Sequence, residues 1–444
     1  MADDLRFPDG FLWGAATSAH QVEGGNTRND WWRFEQQPGA IADGHGSGAA
    51  CRHFERFDED FALASGDGHN AHRLSFEWSR LETAPGRFDP DAVAHYHAVL
   101  ASLRRHALTP IVTLHHFTNP LWLADEGGWE SRRTIDRFEA FVRFCAREFG
   151  GEVDWWCTVN EPEVMAFRGW SEGVWPPGVR DRSRALEVIA NLLEAHGRAY
   201  HVLHAEDRQD ADGDGLAARV GFAKHRVNLE PLRPWNPLDR VQAHLEDAVF
   251  NEAVERAAVE GTIDLWIPGT RRVRRELPEL RGAFDYYGLN YYTRWMLRSG
   301  APEPHVARPG ATLNDLGWEI WPEGLEQALV AAGRFGRPVL ITENGVADRL
   351  DRRRPAALVG FVEAMHRAIA RGVEVRGYLH WSLLDNFEWS EGYNGRFGLY
   401  AVDFDDPLRP RTRRASAEVL ARIARANALT AHAREAVAGV PGRG

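Results

Sequence analysis

The 444-residue chain is nearly devoid of two common residue types, lysine and cysteine. Lys224 is its only lysine, and arginine supplies the other basic residues, which we interpret as a coding bias without functional meaning. Cys51, Cys145 and Cys157 form an odd, scattered set, which excludes a disulfide framework and a Cys-x-x-Cys zinc site. Free thiols are typical of a reducing compartment, so the sequence predicts a cytoplasmic protein.

Negative charge outweighs positive charge, and long apolar runs are scarce. The net charge of −11 and the pI near 6.0 argue against a nucleic-acid or anionic-membrane partner. No run reaches about 18 apolar residues, so we expect no membrane-spanning helix. The start, MADDLRFPDGFLWG, lacks the basic and apolar segments of a signal peptide. With 44% hydrophobic residues, the chain can bury a large core and should be globular.

Strand-like and helix-like segments alternate along the chain. Helical spacing of apolar residues marks segments 136–150, 184–206 and 357–372. Eight βα units predict an α/β fold, a (β/α)₈ TIM barrel, and the length beyond the usual ~250 residues predicts long βα loops over its C-terminal face. Without a linker, repeat or composition shift, we expect a single catalytic domain, 1–444. The strand-like segments are 11–16, 71–78, 110–114, 153–159, 219–227, 284–292, 338–342 and 375–382.

Two of these strands end in a glutamate. The run VDWWCTVNEP (153–162) ends in Asn160, Glu161 and Pro162, and proline stops a strand because it cannot donate to the ladder. The run RPVLITENG (337–345) ends in Glu343 and Asn344. A single glutamate is usually solvated. At the C-terminal ends of barrel strands, however, active sites form.

Other polar and aromatic side chains fall at or near the predicted strand ends. Together they describe a crevice with two carboxylates, a cation, amides and indole surfaces, which suits an uncharged sugar. Its members are Gln21, Arg73, His116, Asn160, Asn290, Tyr292 and Trp381.

The motifs TVNEP (158–162) and ITENG (341–345) resemble the acid/base and nucleophile motifs of glycoside hydrolase family 1, the β-glucosidase and β-galactosidase family. The resemblance continues in family order over almost the whole chain. It is carried by FLWGAATSAHQVEG, HRLSFEWSR, TLHHFTNP, DYYGLNYYT, GWEIWPEGL, WSLLDNFEW and GRFGLYAVDF.

The resemblance implies a retaining β-glycosidase in which Glu343 is the nucleophile and Glu161 the general acid/base. Arg73, Asn290 and Tyr292 would orient and ionise Glu343, and Tyr292 would also contact the sugar. Trp318 and Trp122 would line the leaving-group side. The remaining sugar-binding residues would be Gln21, His116, Asn160, Trp381, Glu388 and Trp389.

The mechanism implied by the resemblance sets two expectations for the carboxyls. Retaining glycosidases hold them ~5–5.5 Å apart. A negative Glu343 at that distance should raise the pKa of Glu161 to about 6–6.5, so that Glu161 carries the proton that the leaving group needs.

We expect neither a cofactor nor a metal. The loop 207–215 imitates the start of an EF-hand, but Gly221 stands where a bidentate glutamate is required. The expected partners are small β-glycosides or short oligosaccharides, and a homo-oligomer is left open. So are three alternatives: a transglycosidase using the same residues, a non-catalytic sugar-binding barrel and a metal-dependent barrel hydrolase.

The sequence does not distinguish glucose from galactose or fucose, but it bears on phosphorylated sugars. Relatives in the resembling family that take 6-phosphorylated glycosides carry Ser, Lys and Tyr where this chain has Glu388, Gly395 and Phe397. The resemblance therefore implies a preference for free sugars.

Overall fold

The computed structural model describes residues 4–301, 303–435 and 437. At its centre, eight parallel strands close into a barrel, and they are neighbours in sequence order. All eight strands predicted from the sequence are confirmed, with ends that shift by at most three residues. The strands are β1 (Leu12–Ala16), β2 (Ala71–Ser75), β3 (Thr109–His115), β4 (Trp155–Asn160), β5 (Arg219–His225), β6 (Tyr286–Tyr291), β7 (Val339–Asn344) and β8 (Val375–Trp381).

The longer helices surround this barrel. Helix α3 shows why they pack there, because Ile135, Phe138, Phe141, Val142 and Cys145 lie on one buried face at helical spacing. The helices of at least eight residues in the described ranges are α1 (His53–Gly66), α2 (Pro90–Arg105), α3 (Arg133–Phe149), α4 (Arg182–Glu206), α5 (Pro237–Asp247), α6 (Ala253–Glu260), α7 (Pro322–Gly333), α8 (Arg354–Ala370) and α9 (Ala415–Ala426).

Shorter elements occupy the connections between barrel strands and helices, or lie before β1 and after α9. Across the described residues, every helix is too short or too polar to cross a membrane. The short helices are Ala19–Val22, Asp30–Glu35, Trp78–Leu81, Leu121–Asp125, Pro162–Ala166 and Ala431–Glu435. The short strands are Leu5–Arg6, Glu82–Ala84, Arg87–Phe88, Asn228–Pro231, Thr262–Leu265, Val273–Glu276, Arg294–Leu297, His305–Val306, Tyr400–Val402, Arg411–Arg413 and Ala428–Leu429.

The strand predicted over 71–78 ends three residues early, at Ser75. Its last predicted residues instead begin the short helix Trp78–Leu81, because the Glu77 side chain accepts the backbone N–H of Ser79 at 3.3 Å. A side-chain acceptor at this position caps a helix and competes with strand pairing.

Strand β7 explains the sequence Glu343-Asn344-Gly345. The Asn344 amide donates to the Tyr291 carbonyl at 2.7 Å, and the Tyr378 hydroxyl donates to the Asn344 amide oxygen at 2.9 Å. Asn344 thus ties β7 to both neighbouring strands. A Cβ on Gly345 would lie 1.9 Å from the Trp381 carbonyl oxygen, so only glycine fits this approach.

The barrel ladder is irregular where the two glutamates lie. Register shifts occur between Cys157 and Asn160 on β4 and between Ile341 and Asn344 on β7. Such irregularities re-aim the side chains at a strand end. Glu161 and Glu343 are both buried there, 6% and 4% exposed respectively.

Candidate active site

Glu161 lies in a tight turn between β4 and the short helix Pro162–Ala166. Its backbone is left-handed, with φ 45° and ψ 62°, which is unfavourable for a residue with a side chain. Its N–H donates to the Ala223 carbonyl at 2.8 Å, and Pro162 begins the helix where its missing N–H costs nothing. The turn therefore fixes the backbone position from which the Glu161 side chain extends.

Glu343, inside the C-terminal end of β7, is held by two donors. Arg73 from β2 donates to its Oε1 at 2.5 Å, and the Tyr292 hydroxyl donates to its Oε2 at 2.6 Å. Arg73 is 1% exposed and also donates to the Thr113 hydroxyl at 2.9 Å. Both contacts of Glu343 favour its charged form.

Asn160 connects the two glutamates. Its Oδ1 accepts from Arg73 at 2.7 Å and from Asn290 at 3.2 Å. The Asn290 amide also donates to Glu161 at 2.7 Å. The prediction had assigned Asn290 to Glu343, and the structure corrects this. A register shift at Asn290 lets its side chain reach across to Glu161.

His225, at the end of β5, is a site residue that the sequence reasoning missed. Its Nδ1 lies 3.1 Å from Glu161 Oε1. The predicted strand continued to residue 227, which left His225 inside the strand instead of at its end. A strand boundary at His225 would have placed it among the other polar strand ends.

The two glutamates are both buried, and the charge of Glu161 acts on Glu343. Burial raises the pKa of Glu343 to about 7, against the lowering effect of Arg73. Burial also acts on Glu161, yet the adjacent His225 and the Asn290 amide hold its pKa below the ordinary value. The expected rise at Glu161 is absent because that expectation did not include His225. Ionising both adjacent carboxyls is unfavourable because their like charges repel each other, so the pair holds one proton near neutral pH.

Aromatic rings form one wall of the site around His116. Its ring stacks on Trp381 at 5.9 Å and lies parallel to Trp389 at 6.2 Å between centroids. The Asn160 amide nitrogen lies 3.4 Å from its Nε2. Burial, aided by Arg73, lowers the pKa of His116 far below its ordinary value, so the ring is neutral. A neutral imidazole can exchange hydrogen bonds with a hydroxyl.

Gln21 and Glu388 lie together at the other end of this wall. The Gln21 amide donates to the Phe387 carbonyl at 2.8 Å and to Glu388 at 3.4 Å. Burial raises the pKa of Glu388 to about 8, against a hydrogen bond from Trp381. A Cβ on Gly395 would lie 2.9 Å from Glu388 Cγ, so any side chain there would displace Glu388.

The two tryptophans predicted for the leaving-group side lie in different places. Trp318 packs edge-on against Tyr292, a partner of Glu343, at 6.0 Å, and at a tilt against Phe397 at 6.1 Å. Trp122 packs edge-on against Trp78, and its indole N–H donates to the Glu82 carbonyl at 3.0 Å. The structure thus joins Trp318 to the cluster, whereas the Trp122 indole is directed to other partners.

Comparisons with known proteins agree with this architecture. A family model described as glycosyl hydrolase family 1 matches residues 4–429. A β-glycosidase structure from Pyrococcus horikoshii has a TM-score of 0.87 and 35% identity, covering 97% of this chain and 98% of that one. A Thermotoga maritima β-glucosidase in complex with glucoimidazole has a TM-score of 0.85 and 30% identity, covering 96% and 99%. A Pyrococcus woesei β-galactosidase is 31% identical, covering 89% of this chain and 93% of the relative.

Proposed function

The chain belongs to glycosyl hydrolase family 1 and is an O-glycoside hydrolase, and on this premise we propose that it removes terminal non-reducing β-D-glucosyl residues. Its substrates are small β-glycosides or short oligosaccharides. Reaction in this family retains the configuration at the anomeric carbon.

The observation that carries the residue roles is the unequal support of the two glutamates. Glu343 is paired with Arg73, a permanent cation, whereas Glu161 contacts the amide of Asn290 and the imidazole of His225. A permanent cation suits the group that must attack as an anion. The absence of a permanent cation among these contacts of Glu161 suits the group that gives up and regains a proton.

The reaction then runs in two steps. In the first, Glu343 forms a bond to the anomeric carbon while the bond to the leaving oxygen breaks, and that oxygen takes the Glu161 proton. Esterification neutralises Glu343, which lowers the pKa of Glu161 because its negative neighbour is gone. In the second, Glu161 takes a proton from water, whose oxygen attacks the same carbon and releases Glu343.

The residues around His116 and Glu388 supply the proposed sugar subsite. Gln21, His116 and Glu388 offer hydrogen-bonding groups, and the Trp381 indole offers a flat apolar face. A sugar presents hydroxyls at its rim and C–H groups on its face, so these groups match its two kinds of surface.

A trapping experiment tests the roles directly. An activated 2-deoxy-2-fluoro-β-glucoside should esterify the nucleophile and hydrolyse slowly, because the fluorine disfavours the positively charged transition state. Peptide mapping by mass spectrometry should find the sugar on the peptide with Glu343. A label on Glu161, or no label under conditions of full turnover of an aryl glucoside, would contradict the proposal.

We also propose a cytoplasmic location, supported by three buried cysteines without disulfide partners.

A further inference from the structure

The C-terminal end of β5 contacts the Glu161 turn through three consecutive residues. The Ala223 carbonyl accepts the Glu161 N–H at 2.8 Å, and the Lys224 ammonium donates to Glu163 at 2.8 Å. His225 Nδ1 lies 3.1 Å from Glu161 Oε1. The end of β5 therefore holds the backbone of Glu161, the side chain of Glu163 and the carboxyl of Glu161.

Lys224 makes the middle contact unusual for this chain. It is the only lysine of the sequence, its side chain is fully buried, and its ammonium lies over the Phe250 ring at 4.7 Å. A buried ion pair is costly to break because one charge is left without a partner. The Lys224 and Glu163 pair therefore anchors the turn against β5, and the geometry around His225 is rigid.

The ring of His225 contacts Glu161 at its edge and Tyr292 on its face. It stacks on Tyr292 with a centroid separation of 5.8 Å and an interplanar angle of 17°, and Phe250 meets it edge-on at 5.9 Å. The Tyr292 hydroxyl donates to Glu343 at 2.6 Å. His225 thus contacts Glu161 directly and the hydrogen-bonding partner of Glu343 through its face.

Several charged or titratable groups surround His225. Its own strand end bears Lys224, and Arg226 follows it. The turn after β4 supplies Glu161 and Glu163, and α6 supplies Glu255, the partner of Arg226. Tyr292 follows β6 and contacts Glu343, which is paired with Arg73. Lys224 with Glu163, and Arg226 with Glu255, are each paired, which leaves Glu161 as the direct acidic contact of the imidazole.

We propose that His225 is a positioning residue that holds the Glu161 carboxyl by one hydrogen bond and, through its own charge, selects which of the two glutamates carries their shared proton. The inference rests on the proposed role of Glu161 as acid/base. Nothing covalent happens at His225 itself.

The selection follows from the neighbouring charges. A protonated His225 favours an ionised Glu161 and leaves the proton on Glu343, which then cannot attack. A neutral His225 leaves Arg73 as the dominant cation, so Glu343 ionises and the proton resides on Glu161. The position of the shared proton therefore depends on whether the imidazole beside Glu161 carries a charge.

Two substitutions separate the hydrogen bond from the packing of the ring. His225→Asn places an amide near the position of Nδ1 but removes the ring and its charge. His225→Phe keeps a ring against Tyr292 and Phe250 but removes the hydrogen bond and the charge. Both are compared with wild type by kcat/KM against pH, on a dinitrophenyl β-glucoside and on an alkyl β-glucoside.

We expect His225→Phe to lose about 10²-fold in kcat/KM on the alkyl glucoside, because the acid is misplaced, and much less on the activated one. His225→Asn should retain most of the wild-type value on both. Since neither variant can carry the charge, the bell-shaped profile should widen in both, with the acid limb about 1 pH unit or more lower.

A purely structural role gives the reverse order, with His225→Phe active, His225→Asn impaired and the width of the profile unchanged, and that result would overturn the proposal. If His225→Phe does not fold, the profile of His225→Asn decides alone, since an unchanged width also overturns it.

The roles of the glutamates are checked separately with Glu161→Ala. If Glu161→Ala loses the same factor in rate on poor and on activated leaving groups, Glu161 is not the acid/base, whatever the His225 variants do. If Glu161→Ala loses much more on poor leaving groups while the pH profiles of the His225 variants match wild type, only the present proposal is wrong.

Discussion

Asn290 donates its side-chain amide to Glu161 at 2.7 Å, although its backbone pairs with Glu343 in the barrel register. The Thr342 hydroxyl donates to the Asn290 amide oxygen at 2.6 Å, which fixes the orientation of the amide group. The carboxyl at the end of β4 is thus oriented by side chains from β6 and β7. A shift of β7 that moves Glu343 also moves Thr342 and so acts on Asn290, which orients Glu161. The positions of the two carboxyls therefore depend on each other.

The first prediction concerns stereochemistry. Because Glu343 and Glu161 act in two successive displacements at one carbon, the sugar should leave with its original configuration. Proton NMR during the first minutes of aryl β-glucoside hydrolysis should show the β anomer before mutarotation. An initial α anomer would refute a nucleophilic role for Glu343.

The second prediction separates the two carboxyls. Glu161→Ala should lose about 10²–10⁴-fold in rate on poor leaving groups and far less on activated ones, because acid assistance is removed. Azide should restore part of the turnover and give a β-glycosyl azide. Glu172→Ala, at an exposed glutamate of the following loop, is the control and should behave as wild type. Formation of the β product by Glu343→Ala in place of Glu161→Ala would reverse the roles.

The third prediction concerns phosphorylated sugars. Position 395 is a glycine, so no cation lies there for a 6-phosphate, and a Cβ would already collide with Glu388. Glu388 itself has its pKa raised to about 8 by burial, so at neutral pH exclusion rests first on the missing cation and the cost of desolvating the phosphate.

We therefore expect 4-nitrophenyl β-glucoside to be cleaved far faster than its 6-phosphate. Glu388→Ala should lose most of the activity on the free glucoside, while Glu391→Ala, in the same loop, serves as the matched control. Similar kcat/KM values for the two substrates would show that this account of the pocket is wrong.

The fourth prediction uses the same carboxyl to link pH and stability. The folded-state pKa of Glu388, about 8, lies above the ordinary value of 4.5. Protonation of Glu388 therefore stabilises the fold fully below about pH 4.5, and this contribution is lost as pH rises through about 8. Glu388→Gln cannot ionise, so it should escape a loss on the order of a few kcal/mol in the free energy of unfolding.

Urea unfolding of wild type and Glu388→Gln at pH 5, 7 and 9 measures this difference. The free energy of unfolding of Glu388→Gln should rise relative to that of wild type between pH 5 and pH 9. Parallel curves for the two proteins would mean that Glu388 is solvated in the folded state.

The barrel and its catalytic face were predictable because buried parallel strands leave an unbroken apolar pattern that stops at a polar residue. This identified Arg73, Glu161 and Glu343 together. The pattern does not report register, so it could not show that Asn290 reaches Glu161 instead of Glu343. It also extended β5 two residues too far, which hid His225. The direction of the Trp122 indole depends on the packing of Trp78, which is a tertiary property.

The buried position of Lys224 has a consequence for the chemistry of the protein surface. Since the chain has no other lysine, the folded molecule presents no lysine side-chain amine to solvent. Aldehydes, activated esters and reducing sugars, which condense with such amines, therefore lack their usual side-chain target. Conversely, an arginine changed to lysine at an exposed position would give the surface a single lysine side-chain amine for selective labelling, at the position of the substitution.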